Sequence, residues 1–72
     1  MQSKNGEKKF IIIIDYYKKL KRFEKSRFAL KVAIECEMSV SYFYVKMRGE
    51  KQFKEIELDR ILQIVKDEEW KQ

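Results

Sequence analysis

Seventy-two residues carry 17 Lys plus Arg against 12 Asp plus Glu, no His, no Pro and a single Cys, for a formal net charge of +5. Such a chain makes one small domain that buries only about 60% of its unfolded surface, and one cysteine makes no intrachain disulfide to reinforce it. Cys36 without any His excludes zinc sites of the usual Cys/His type and the Ser/His and Cys/His nucleophile pairs, so neither an enzyme acting on a small-molecule substrate nor a cofactor is expected.

With 44% apolar and 40% charged residues, the mixture is that of a folded helical domain rather than a disordered tail. A lone cysteine fits a reducing cytoplasm. No run approaches the roughly 18 apolar residues of a membrane span, and residues 10–14 are too short for a signal-peptide core. The charge is unevenly spread: residues 1–36 hold 10 basic and 4 acidic side chains, residues 37–72 hold 7 and 8. Lys18, Lys19, Lys21, Arg22, Lys25, Arg27 and Lys31 face only Glu24 within residues 18–31. That block reads either as a solvated helix face or as a polyanion contact.

In chain order, residues 1–7 are polar, lack an apolar period and read as a flexible N-terminal arm; residues 8–72 form the single domain. Phe10-Ile11-Ile12-Ile13-Ile14 has strand-like propensity, but Phe10, Ile13, Ile14, Tyr17 and Leu20 fall at helical spacing and favour a first helix over residues 9–22. Ile11 and Ile12 then lie off the main stripe, covered by a neighbour or exposed for self-association. Residues 23–26 interrupt the pattern, and Ser26 is the expected N-cap of a second helix over residues 27–36, with Leu30, Ala33 and Ile34 on its stripe and Phe28, Val32 and Cys36 beside it. Ser39 caps a third helix over residues 40–48 that turns Val40, Phe43, Tyr44 and Met47 inward and Ser41, Tyr42, Val45, Lys46 and Arg48 outward. Gly49 ends it in a left-handed conformation. From Phe53 or Lys54, the residues Ile56, Leu58, Ile61, Leu62 and Val65 mark the clearest amphipathic helix. Trp70 either folds back as a packing lid or stands exposed.

Two helices joined by a short turn, the second of them closed by Gly, make a helix-turn-helix, in which the second helix is short enough for the major groove. Ala33, Ser39, Phe43 and Gly49 occupy the positions of a small residue, a cap, an apolar anchor and a terminator in the helix-turn-helix of the phage repressor and Cro (XRE-like) family, which the segment resembles over residues 26–66. Two departures stand out: Glu37 takes the place of the family's usual turn glycine, and Lys46 that of an apolar core residue. The expected compensation is that Met47 packs inward while Lys46 snorkels outward. A weaker resemblance, carried by Ser39-Val-Ser-Tyr-Phe43, is to the recognition helix of AraC-type regulators. The fold implied is all-α, a small four- to five-helix, lambda-repressor-like bundle with a helix-turn-helix.

The resemblance implies a small transcriptional regulator that binds double-stranded DNA as a homodimer, cytoplasmic and nucleoid-associated, with a recognition helix near residues 39–48. It assigns base reading to Val40, Ser41, Tyr42, Val45 and Lys46, and phosphate binding to Ser26, Arg27, Ser39, Tyr44, Arg48, Lys51, Gln52 and Lys54. None of Val40, Ser41, Tyr42 and Val45 is the Arg, Gln or Asn that makes bidentate base contacts, so discrimination is expected to be modest, or to depend on DNA shape and on Lys46 and Arg48. Candidates for the dimer surface are Ile11, Ile12, the last helix and Trp70. The alternative reading is a protein-interaction module, an anti-repressor or host-factor-binding phage-type protein, built on the same bundle. An RNA-binding domain shares the charge but lacks an aromatic stacking platform.

Overall fold

The computed structural model describes the backbone of residues 4–71 and the side chains of residues 7–71. Among the described residues four helices follow in order, α1 (Lys4–Lys19), α2 (Arg22–Glu35), α3 (Val40–Met47) and α4 (Glu55–Asp67), and a 3-10 turn, Glu69–Lys71, comes after them. No strand occurs among the described residues, so the isoleucine run is helical. Each isoleucine costs a few tenths of a kcal/mol in a helix relative to Ala, whereas the full burial of Ile13 returns about 1.5–3 kcal/mol. Phe10, Ile14, Tyr17 and Leu20 pack around the same core, while Ile11 and Ile12 are exposed.

Both ends of α1 differ from expectation. It opens at Lys4, inside the segment read as an arm; residues 1–3 lie outside the described residues. No proline blocks backward extension, and Glu7 in the first turn complements the helix dipole, as Lys18 and Lys19 do in the last. It stops at Lys19, three residues early, where the Leu20 amide bonds the Tyr17 carbonyl at 3.1 Å.

The larger correction concerns α2. It starts at Arg22 rather than Arg27, so residues 23–26 are helix and Ser26 is not its cap. Lys21 occupies the cap position, and the Glu24 carboxylate accepts a hydrogen bond from its amide at 2.8 Å. This is the reciprocal half of a capping box, which needs no Ser or Thr. The buried face comprises Phe28, Ala29, Val32 and Ala33, while Leu30 and Ile34 remain 54% and 65% exposed. The expected stripe was therefore rotated: small Ala29 and Ala33 let the neighbouring elements approach, and the larger Leu30 and Ile34 point away.

Between α2 and α3 the chain closes a Schellman motif. The Met38 amide reaches the Ala33 carbonyl at 2.9 Å and the Glu37 amide reaches that of Ile34 at 3.3 Å, with Glu37 in the left-handed region at φ +55°. Ser39 caps α3 as expected, its Oγ accepting from the Tyr42 amide at 3.0 Å. The same closure recurs at the end of α3, where Glu50 N–H bonds the Val45 carbonyl at 3.2 Å, Gly49 N–H that of Lys46 at 3.1 Å, and Gly49 takes φ +86°.

The core lies between α1, α2, α3 and α4, centred on Ile13, Phe28, Val32, Phe43, Leu58, Ile61 and Ile64. α1 packs chiefly on α4, and α2 on α3 and the terminal turn. Trp70 is a packing lid: it is buried, meets Phe28 edge-on at 6.2 Å and 87°, and donates from Nε1 to the Tyr16 hydroxyl at 2.7 Å.

Candidate functional site

The nominated residues lie along α3, the turn before it and the loop after it. Ser41 and Tyr42 are exposed on α3, and Val40 and Val45 are half-buried, with Val40 packed against the core. Lys46 is the exception. It is 3% exposed, and its Nζ donates to Glu57 Oε1 at 2.7 Å, 4.8 Å from the Tyr42 ring centroid and 5.5 Å from that of Phe53. The expectation that Lys46 snorkels outward to read bases is thus corrected: α4 supplies a carboxylate on the inner side, and a paired ammonium is stable there where an unpaired one would not be.

Glu57 is the hub of this arrangement. Its Oε1 also accepts the Lys54 amide at 2.9 Å, completing the start of α4. Partial burial pushes the carboxyl upward, but the hydrogen bonds from Lys46 and Lys54 outweigh it and hold the group below its ordinary range. Around this pair runs a polar groove of about 540 Å³ lined by Cys36, Glu37, Met38, Ser39, Tyr42 and Lys54. Burial raises the Cys36 thiol, which is the setting of an unreactive cysteine.

The phosphate candidates divide. Ser39, Arg48, Lys51, Gln52 and Lys54 are exposed around α3, although the Ser39 oxygen already serves the cap and Arg48 Nε donates to Glu50 at 2.8 Å. Such an exposed pair contributes about 0–1 kcal/mol and yields readily to another anion. Tyr44 is half-buried against Phe43 and beside Tyr17, whose phenol is pushed up to about 12 by burial and by Tyr44. Ser26 is exposed but is the fifth residue of α2, past the four free amides of a helix start, so the anion site assigned to it is not there. Arg27 turns toward a hollow lined by Leu30, Lys31, Ile34, Glu69 and Trp70, none of them on α3.

Two cations not nominated singly do approach α3. Lys18 and Lys25 line a groove of about 370 Å³ with Ile14, Tyr17, Tyr44, Met47 and Arg48, and the Lys25 ammonium stands 5.4 Å from the Tyr17 ring centroid. Their grouping was visible in sequence as part of the basic block; which members would meet α3 depended on where α2 begins. Lys31 is taken up elsewhere, at 3.3 Å from Glu35, within a network in which Arg60 Nη2 bonds Glu35 at 2.6 Å and Glu69 at 2.9 Å. Arg60, with Lys31, holds the Glu35 carboxyl below its ordinary value. Among the described residues, Lys18, Lys19, Lys21, Arg22 and Lys25 have no carboxylate within ion-pair distance of theirs, and no three acidic or Cys side chains gather as metal ligands.

Among the described residues, fold and surface define a small all-helical protein in which α3 presents an exposed Ser and Tyr, with the cations Lys18 and Lys25 at one end. No described helix is long and apolar enough to cross a membrane. No protein-family model, curated protein or solved structure matches the chain.

Proposed function

We propose that the protein is a DNA-binding transcriptional regulator of bacterial, phage or mobile-element type, in which α2, the turn and α3 act as a helix-turn-helix with α3 in the major groove. The observation that carries this reading is the junction itself. Glu37 adopts the left-handed conformation at the position where the repressor family usually has Gly, Ser39 caps α3, and Gly49 closes it with the same pair of hydrogen bonds. The backbone at the departure from the family pattern therefore has the conformation that the family's glycine would favour.

In this reading Ser41 and Tyr42, flanked by Val40 and Val45, face the base edges, and Lys46 no longer belongs to that set. Arg48, Lys51, Gln52 and Lys54 contact phosphates from one side, joined by Lys18 and Lys25 beside the carboxyl end of α3. With no Arg, Gln or Asn facing the groove, phosphate contacts supply most of the affinity and discrimination is modest. The small contact area of one domain argues for a homodimer; Ile11 and Ile12 are exposed candidates for its surface, whereas buried Trp70 is withdrawn. A cytoplasmic, nucleoid-associated location follows from the same proposal.

One observation favours the second reading, a protein-interaction module. Phe23, Leu30 and Ile34 recur at seven- and four-residue intervals on α2 and are all exposed, forming an apolar stripe unrelated to α3. Ser41→Glu/Tyr42→Glu and Leu30→Glu/Ile34→Glu variants separate the readings in a duplex-DNA mobility-shift assay. DNA binding lost in the first pair and kept in the second supports the regulator. Binding unaffected by the α3 changes refutes it.

A further inference from the structure

The Lys46–Glu57 pair joins α3 to α4 and shares a groove with Tyr42. Replacing a buried ion pair with apolar residues of similar size is often neutral or stabilising, so packing alone does not account for a lysine at this position. What the ammonium does, and a methionine would not, is attract the face of an aromatic ring. Tyr42 precedes Lys46 by four residues and so stands on the same side of α3, with its ring centroid 4.8 Å from Nζ. Glu57 fixes the ammonium from α4 at 2.7 Å, and Phe53 flanks it at 5.5 Å. The main chain of Tyr42 is fixed too, through its amide and the Ser39 hydroxyl at 3.0 Å.

Tyr42 is thus held at both ends while remaining 43% exposed. Its neighbours Val40, Ser41 and Val45 are short, which leaves the tyrosine as the long side chain of this face with a polar tip, and its hydroxyl both donates and accepts. A tyrosine free to change rotamer would spread that hydroxyl over several positions and read none of them well. We propose that Lys46 and Glu57 are positioning residues that hold the Tyr42 ring in one orientation, making Tyr42 the specificity-determining residue of α3. This inference rests on the duplex-DNA reading.

The test compares wild type, Tyr42→Phe and the double variant Lys46→Met/Glu57→Gln, which removes both charges at similar volume and keeps an acceptor for the Lys54 amide. A duplex selected by the wild-type protein from a random pool and a scrambled duplex are titrated at one salt concentration. The expected result is a roughly tenfold fall in the selected-to-scrambled affinity ratio in both variants, with the salt dependence of scrambled-duplex binding unchanged. A merely structural role would lower both affinities together. In the free protein, NMR should show the Lys46 ε-methylene protons displaced by the Tyr42 ring current, and the Tyr42 ring resonances should move toward rotamer-averaged positions in the double variant.

An unchanged ratio in a folded double variant overturns the positioning role and leaves the DNA reading standing. If the double variant fails to fold, Tyr42→Phe decides, because its ring is retained and its hydroxyl is not: an unchanged ratio there overturns the proposal. A wild-type ratio near one overturns it as well. Absence of wild-type binding to any duplex removes both readings, and that outcome is visible in the first titration.

Discussion

Lys46 shows how one residue's environment can reverse its apparent role. Its charge suggests a surface contact, yet its ammonium is enclosed by Glu57, Tyr42 and Phe53. Glu57→Gln should therefore cost about 3 kcal/mol in urea unfolding, because it leaves a buried cation without its counter-charge, while Lys46→Met/Glu57→Gln should recover most of that loss. A single-variant cost below about 0.5 kcal/mol, the level of an exposed pair, would mean that the two groups are solvated. Glu37 is the opposite case, an unremarkable surface charge in a demanding backbone position. Left-handed geometry costs a non-glycine residue about 1–2 kcal/mol, and the extra unfolded-state freedom of glycine offsets about 0.5–1 kcal/mol of any relief. Glu37→Gly should accordingly stabilise the domain by about 0.5–1 kcal/mol, measured as a higher urea midpoint at constant slope; a lower midpoint would contradict the turn geometry.

Among the elements, the terminal 3-10 turn contributes more than its three residues suggest, since it seats Trp70 on α2 and ties it to Tyr16. Trp70→Ala should destabilise by about 3–5 kcal/mol in the same measurement, and a cost near zero would mean that Trp70 is not packed there. The third helix was legible in the chain because its signals are local: Ser39 for the start, Gly49 for the stop. The second helix was not. Leu30 and Ile34 fit a helical period as well as the true buried set does, and only tertiary packing distinguishes the two faces. Its start was hidden because Lys21 is not a preferred cap, although Glu24 three residues later was a readable half of a capping box. The inward turn of Lys46 was not legible either, since its partner lies eleven residues on, on another helix, where no local pattern reveals it.

Across the whole molecule, titration sets the limits of stability on both sides. The carboxyls of Glu35, Glu57 and Glu68 are held below their ordinary value of 4.5, so they stabilise the fold above that pH and lose the contribution as pH falls through their lowered folded-state values. Tyr17 works in the opposite sense. Its phenol rises from 10 to about 12 on folding, so the unfolded chain ionises first and stability falls as pH increases between those values. Circular dichroism against pH should show a plateau with an acid limb beginning below about 4.5, and Tyr17→Phe should flatten the alkaline limb. An alkaline limb identical in Tyr17→Phe would place the loss elsewhere.

The net charge of +5 also acquires a geometry at this scale. Glu55 and Asp59 of α4 meet Lys9, and Arg60 and Lys31 meet Glu35 and Glu69, which leaves Lys18 and Lys25 beside the carboxyl end of α3 and Lys51 and Lys54 in the loop that follows it. Whether this surface grips a DNA backbone, as proposed, is decided by duplex-DNA affinity as a function of salt. On the DNA reading log K should fall linearly with log salt concentration with a slope of several units, and Lys18→Ala, Lys25→Ala and Lys51→Ala should each reduce the slope by about one. No measurable duplex binding near roughly 50 mM salt, or binding indifferent to salt and to these three lysines, would contradict it.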